Sequence, residues 1–281
     1  MRFSVLMSVY AKEKPAYLHE SLKSVFNQTL LPTEVVLVED GPLTEDLEKV
    51  VDGFAKRYDS LKIIKLEKNL GLGKALNIGT KECTCEYIAR MDSDDICFPD
   101  RFKKQVEYLN DHPDIDVLGS WTQEFTEDSD GHMHFYALKK FPLTVWENFK
   151  YSLSRCPVEH PAVILRKDAV IKAGGYQKFY LFEDYYLWAR MFVNGSKFAN
   201  IGEPLLYFRM TPDSYKRRGG LKYAKSEAKA LFEFYKMGFL SKTEYYRALV
   251  ERMPVRLLPN YVRQLIYQRF LRRYSTISTN S

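Results

Sequence analysis

Two groups of carboxylates in this sequence are spaced for chemistry. Asp92, Asp94 and Asp95 fall within four positions. Like charges this close repel, and a hard divalent cation relieves the repulsion. Magnesium takes one or two such carboxylates and keeps its other positions for water and phosphate oxygens. A solvated helix N-terminus is the competing reading. Glu183 and Asp184 stand beside Tyr185, Tyr186 and Trp188. Partial burial among aromatics would raise a carboxyl pKa and suit a general base. A charge pair opening a helix is the alternative. Asp40 begins Asp-Gly-Pro, where it is a turn residue or a ligand. His160, before Pro161, is a structural histidine or a proton carrier. Lys216-Arg217-Arg218-Gly219-Gly220 puts dense positive charge on flexible backbone, fit to grip a diphosphate or lipid headgroups, or simply a solvated loop.

These residues need a frame. Residues 3–9, 34–39, 61–66 and 87–91 are short apolar, β-branched runs that predict strands. Between them lie helical spacings: Leu18, Leu22, Val25 and Phe26 after Pro15, then Leu47, Val51 and Phe54 behind a Thr44 N-cap, then Ala75, Leu76 and Ile78. Another helix follows Pro99, and a fifth short strand is expected at 115–119. Strands alternating with helices over about 120 residues indicate a doubly wound, mostly parallel α/β sheet. In such sheets ligands sit beyond the carboxyl ends of the strands. Asp40 and the Asp92 cluster stand at two of those ends. Gly174-Gly175-Tyr176 reads as a helix C-cap and turn. From about 216 onward three helical stretches are expected, the second opened by a Ser241/Glu244 capping box and the third capped by Asn260.

The chain has 281 residues, 46% hydrophobic and 28% charged, so a disordered or collagenous polymer is excluded. Residues 205–281 hold 16 Lys and Arg against 5 Asp and Glu, a net +11, while residues 1–204 carry a net −5. Only the tail is expected to meet something anionic, and that partner is not nucleic acid. No apolar run approaches the roughly 20 residues of a membrane span. The N-terminus reads as a strand rather than a signal peptide. Cys83, Cys85, Cys97 and Cys156 lack zinc spacing and are too few for a disulfide scaffold, which suits reduced thiols in the cytoplasm. Gly71-Leu72-Gly73 follows the third strand, not the first, which disfavours a dehydrogenase.

Taken in order, the motifs resemble a family 2 glycosyltransferase of the GT-A fold over roughly residues 2–215. They are Ser8-Val9-Tyr10, Val38-Glu39-Asp40-Gly41, Asn69-Leu70-Gly71-Leu72 with Ala75-Leu76-Asn77, and Ala89-Arg90-Met91-Asp92-Ser93-Asp94-Asp95 with Pro99-Asp100-Arg101-Phe102. Farther on come His160-Pro161, Gly174-Gly175-Tyr176 and Glu183-Asp184-Tyr185-Tyr186-Leu187-Trp188. The bacterial enzymes that build exopolysaccharide, capsule and O-antigen repeat units are the most similar subgroup. The resemblance implies a domain at 1–215, with a nucleotide-binding half at about 1–120 and an acceptor half at about 121–215. A basic helical region, 216–281, would follow.

It further implies roles. Val9, Tyr10, Asp40, Gly71, Asn77, Arg90, Asp92 and Ser93 would bind a nucleotide sugar, UDP-linked, with Asp40 accepting from the uracil imide and Tyr10 against the base. Asp94, with Asp92, would hold Mn²⁺ or Mg²⁺ on the donor diphosphate. Asp184 would be the catalytic base of an inverting transfer, with Glu183 orienting it or the acceptor. His160, Gly175, Tyr176, Trp188, Arg209 and the Lys216, Arg217, Arg218 cluster would meet the acceptor or the diphosphate. Two departures stand out: the usual Asp-Asp pair is Glu39-Asp40 here, and Arg209-Met210-Thr211-Pro212 lacks the usual histidine. The acceptor would be a glycan or polyprenyl-diphosphate-linked sugar, at the inner face of the cytoplasmic membrane, with the tail touching anionic lipid. A catalytically inactive nucleotide-sugar-binding subunit is the non-enzyme alternative. A sugar-nucleotide pyrophosphorylase would need a glycine-rich loop after the first strand, which residues 9–15 lack.

Overall fold

The computed structural model describes residues 1–128, 130–211 and 220–257. The Lys216–Arg218 cluster and the helix expected from Asn260 lie outside the described residues. The first half of the sheet is built as the hydrophobic pattern demands. Strands β1 (Phe3–Val9), β2 (Glu34–Glu39), β3 (Leu61–Lys65) and β4 (Tyr87–Asp92) pair in parallel in the order β3-β2-β1-β4. Helices α1 (Pro15–Phe26), α2 (Glu45–Ala55) and α3 (Leu72–Glu82) make the crossovers.

Alternation along the strands divides the apolar side chains between two faces. Phe3, Val5, Met7 and Val9 pack with Leu18, Leu22, Leu47 and Phe54 of α1 and α2. Leu6, Val36 and Val38 pack on the opposite face with Ala75 and Leu76 of α3. Thr44 does cap α2, its hydroxyl accepting the Leu47 N–H at 3.4 Å.

Beyond β4 come β5 (Ile96–Cys97), α4 (Arg101–Asp111), β6 (Val117–Glu127), β7 (Met133–Lys139), α5 (Val145–Ser152) and a 3₁₀ turn at His160–Ala162. Then follow β8 (Ile164–Arg166), α6 (Lys167–Lys172), α7 (Glu183–Val193), β9 (Phe198–Arg209), α8 (Leu221–Lys236) and α9 (Lys242–Leu257). The sheet continues β4-β8-β6-β9-β5, with β7 beside β6. Here the pairings turn mixed: β8 is antiparallel to both β4 and β6, whereas β6 and β9 are parallel. The fifth strand expected at 115–119 instead runs Val117–Glu127. Its outer half pairs with β7 on one side and β9 on the other, so tertiary pairing extends it past its apolar run.

The Ser241/Glu244 capping box is formed, the Ser241 N–H donating to Glu244 at 2.7 Å and the Glu244 N–H to Ser241 Oγ at 3.2 Å. Leu231, Phe234 and Phe239 close over Phe182, Tyr185 and Ala189 of α7. Glu227 of α8, 1% exposed, is paired with Arg252 and Arg256 of α9. The C-terminal helices therefore buttress the element that carries Glu183 and Asp184.

Candidate active site

The register of the parallel strands sets the carboxylates in a row. Glu39 stands beside Val9, and Asp92 beside Ser8. Asp40 and Asp92 thus flank the end of β1, one strand to each side, about 10 Å apart at ordinary strand spacing. Here β1 leads through α1 on one face to β2, while β4 on its other side is entered through α3 on the opposite face, and such switch points are where open α/β sheets bind ligands.

Asp40 is buried and serves the turn that follows β3. Its carboxylate oxygens accept the backbone N–H groups of Leu70 at 2.6 Å and Gly71 at 3.0 Å. Gly41, at φ +90°, lets the chain pass so close that a Cβ would lie 2.6 Å from the Asn69 nitrogen. Tyr10, Ala11, Lys12, Asp40, Gly41, Pro42 and Asn69 line a pocket of about 300 Å³. Tyr10 is 41% exposed at its mouth. Glu39, the second acid of the pair, is buried and faces Lys65 at 3.3 Å, its carboxyl pushed up by burial and by Glu48.

The Asp92 loop crowds three carboxylates together. Asp92, Asp94 and Asp95 each offer a carboxylate oxygen, all within 4.8 Å of one another. Burial, then Asp92 and Glu13, push the Asp94 carboxyl up to about 7. Burial, Asp94 and Asp92 push Asp95 up further. Asp95 Oδ1 accepts the Arg209 N–H at 2.8 Å, but Oδ2 is buried without a partner. Crowded carboxylates of raised pKa with an orphan oxygen are a donor set that fits a hard divalent cation. Arg90, 1% exposed, is paired with Asp92, while its Nε and Nη1 have no hydrogen-bond partner. Ser93 donates to Glu13 at 2.5 Å.

Arg209 occupies a different place from the one expected of a diphosphate contact. Its guanidinium is buried and stacked 3.9 Å from the Tyr17 ring centroid. Nε donates to the Asp94 carbonyl oxygen at 2.7 Å, and the two terminal nitrogens pair with Glu20 and Glu127. With its donors spent, Arg209 braces the aspartate loop from behind. Glu13, Glu20, Glu127 and Tyr17 went unmarked in the sequence, because partners up to 189 residues apart leave no local signal.

The second acidic group opens α7. Gly174 and Gly175, both at positive φ, turn the chain after α6, and a Cβ on Gly175 would collide with Asn77 Oδ1. Leu181 holds φ +59°, a conformation rare for a branched side chain, two residues ahead of Glu183. Burial pushes the Glu183 carboxyl up to about 7, with Asp184 adding to it. Asp184 Oδ1 accepts the Tyr185 N–H at 2.7 Å, and Cys156 Sγ lies 3.9 Å from Oδ2. Gly73 of α3 approaches so near that a Cβ would be 3.0 Å from Glu183 Cγ.

Tyr176 joins the two acidic groups. Its hydroxyl, pushed up in pKa by burial, also feels Asp184 and Asp92, while Arg90 opposes them. His160 Nε2 lies 2.9 Å from that hydroxyl, and burial together with the Arg90 charge holds the imidazole well below its ordinary value, hence neutral. His160 and Tyr176 therefore form an inner wall behind Arg90. Trp188 corrects the expectation of an acceptor contact: it is wholly buried, edge-on to His160 and Phe198. Its indole is core, because α7 turns that side to the sheet.

The model of glycosyl transferase family 2 matches residues 4–169. The chain belongs to that family. It is 40% identical over 273 residues, 97% of this chain and 98% of the relative, to the UDP-Gal:alpha-D-GlcNAc-diphosphoundecaprenol beta-1,3-galactosyltransferase of Escherichia coli. It is 41% identical over 270 residues to the amylovoran biosynthesis glycosyltransferase AmsE of Erwinia amylovora, covering 95% and 98% of the two chains. A crystal structure of S. aureus TarS with UDP-GlcNAc superposes with a TM-score of 0.66 at 21% identity, over 91% of this chain and 72% of that one. The fold is GT-A and the protein is a glycosyltransferase. Glycosyltransferases of this fold typically use a divalent metal. Among the described residues, no helix is long and apolar enough to cross a membrane.

Proposed function

We propose that this family 2 glycosyltransferase moves a sugar, with inversion, from a UDP-linked donor to a hydroxyl of a polyprenyl-diphosphate-linked sugar. The reaction would serve bacterial surface polysaccharide synthesis at the cytoplasmic membrane face. The observation that supports the reading is that the buried Tyr176 hydroxyl feels both Asp92, at the carboxyl end of β4, and Asp184 of α7, while Glu183 packs against Gly73 of α3. The relative that acts on GlcNAc-diphosphoundecaprenol spans nearly the whole chain and supports the donor and acceptor classes.

In this reading the pocket lined by Tyr10, Lys12, Asp40, Gly41 and Asn69 takes the uracil ring, with Val9 and Gly71 beside it in the chain, while Asn77 stands against Gly175. Asp92 and Ser93 lie on the ribose and phosphate side, and the unpartnered Nε and Nη1 of Arg90 supply positive charge beneath them. Asp94, with Asp92, would hold Mn²⁺ or Mg²⁺, which when bound offsets the charge developing on the departing nucleoside diphosphate. Asp184 takes the proton of the acceptor hydroxyl as that oxygen attacks C1 from the face opposite the leaving group. Glu183, half-withdrawn from water, orients the acceptor. Residues 1–120 thus serve the donor and 121–215 the acceptor, with the C-terminal helices as support.

The test is transfer from a panel of UDP-sugars to a short-chain lipid diphosphate sugar, with and without Mn²⁺. Asp184→Asn should lower kcat by roughly 10²–10⁴, the contribution of a positioned base. Equal turnover would remove Asp184 from that role. Metal-independent donor binding in the wild type would remove the cation from Asp94.

A further inference from the structure

Helix α5 is amphipathic in the wrong sense for a protein surface. Its buried residues are polar: Asn148 and Ser152 are both fully buried. Asn148 Nδ2 donates to the Pro142 carbonyl at 2.8 Å, and its Oδ1 accepts Asn200 Nδ2 at 2.9 Å. Beside Glu147 and Lys150, the outward residues include large apolar ones: Val145 is 37% exposed, Trp146 62% and Phe149 37%, with Leu143 at 40% just before them. A Thr144/Glu147 capping box fixes the first turn, so this presentation is held rather than frayed. Trp146 and Phe149 stack at 6.2 Å between ring centroids. Lys150 Nζ sits 5.0 Å from the Trp146 ring, and a groove of about 580 Å³ runs along Leu143, Glu147, Lys150 and Tyr151.

We propose that this outward face of α5 docks on the surface of an anionic lipid bilayer. An exposed aromatic cluster flanked by lysines, with the polar residues of the helix turned inward, is what a helix lying in the bilayer interface requires. Charge chooses the occupant. Around α5, Lys140, Lys150 and Arg155 stand against Glu147, a net +2 in a body that is otherwise acidic, while Lys139 is paired with Glu159. That patch attracts anionic headgroups and repels a second copy of itself. Position gives the docking a purpose, a point that rests on the lipid-linked acceptor proposed above. The C-terminal end of α5 meets the catalytic helix, where the Tyr185 hydroxyl donates to the Ser152 carbonyl. Trp146 lies only about 9 Å along the helix axis from Ser152. An acceptor whose diphosphate sits at the bilayer surface would then be presented to Asp184 without leaving the membrane.

The experiment uses the full chain and phosphatidylcholine vesicles with and without phosphatidylglycerol. Flotation and tryptophan emission are read together, since Trp188 is buried and Trp146 is the most exposed of the three tryptophans among the described residues. The wild type should float with phosphatidylglycerol vesicles, its emission should shift to the blue, and lipids brominated on the acyl chain should quench it. Trp146→Ser with Phe149→Ser should abolish the shift and weaken flotation about tenfold. Lys140→Gln with Lys150→Gln should weaken it about thirtyfold, since each lysine strengthens partition roughly fivefold. Both pairs are exposed, so the thermal midpoint should hold. Wild-type emission that ignores the vesicles, or flotation unchanged in both variants, overturns the proposal. So does a wild-type dimer that the variants split, without any flotation. Transfer to a water-soluble acceptor is measured alongside: variants that keep it while failing on vesicle-embedded acceptor support the docking. A wild type that transfers to neither refutes the acceptor reading and leaves the vesicle result to stand by itself.

Discussion

Replacing Glu183 with glutamine should make the protein more stable and less active. The carboxyl titrates at about 7 in the folded chain against an ordinary 4.5, because burial opposes its charge. The folded state therefore binds more protons than the unfolded state between those values, and stability falls as pH rises through that window. Above pH 7 the wild type carries the whole penalty, and below 4.5 it carries none. The gap corresponds to about 3.4 kcal/mol, which partial exposure of the side chain screens to about 2 kcal/mol. Glu183→Gln keeps the shape and removes the charge. Urea unfolding at about pH 8 should show the variant roughly 2 kcal/mol more stable, and near pH 4 the two curves should coincide. Transfer activity should drop in the same variant, as expected where a site holds a charge that the fold disfavours. A variant no more stable than wild type at pH 8, or equally stabilised at both pH values, would refute the reasoning.

Three further outcomes follow from the contacts. Asp40→Ala leaves the Leu70 and Gly71 N–H groups without an acceptor and should cost about 2–4 kcal/mol in a urea melt, alongside lost UDP binding. Lost binding with an unchanged midpoint would show that the carboxylate does not hold the turn. Gly73→Ala puts a Cβ 2.9 Å from the Gln177 carbonyl and against Glu183, so kcat should fall while stability drops by about 1–3 kcal/mol. Arg209→Gln strands Glu20 and Glu127 and frees the Asp94 carbonyl. A loss of about 1–3 kcal/mol is expected, since Glu20 stays partly in water, with Mn²⁺ affinity in calorimetry weakened even in variants refolded at low temperature.

The parallel half of the sheet was legible because each strand is a continuous apolar run closed by a turn signal. β1 and β2 fall on the residues expected, and Asp40-Gly41 and the Asp92 loop stop their strands where ligands gather. The mixed half was not. Ile96–Cys97 is too short for any period to show, and β6 owes its outer turns to partners on both sides. Side-chain roles divided along the same line. The aspartates announced themselves by clustering. The resemblance makes Trp188 an acceptor contact, and at four residues from Asp184 it does share that helix face, but one turn farther along the face is packed into the core against His160 and Phe198. The resemblance makes Arg209 a diphosphate contact, and only three-dimensional proximity to Glu20 and Glu127 shows that its charge is already paired.

That arginine also sets a timetable. Glu20 and Arg209 are separated by 189 residues, and loop-closure entropy delays contacts of such span. A nascent chain leaving the ribosome can lay down β1 to β4 early, but its aspartate loop stays unbraced until β9 has been synthesised and threaded into the sheet. Bracing of the aspartate loop therefore follows the parallel strands, and pulse-labelled hydrogen exchange at Asp94 and Asp95 should register it after those strands are already protected.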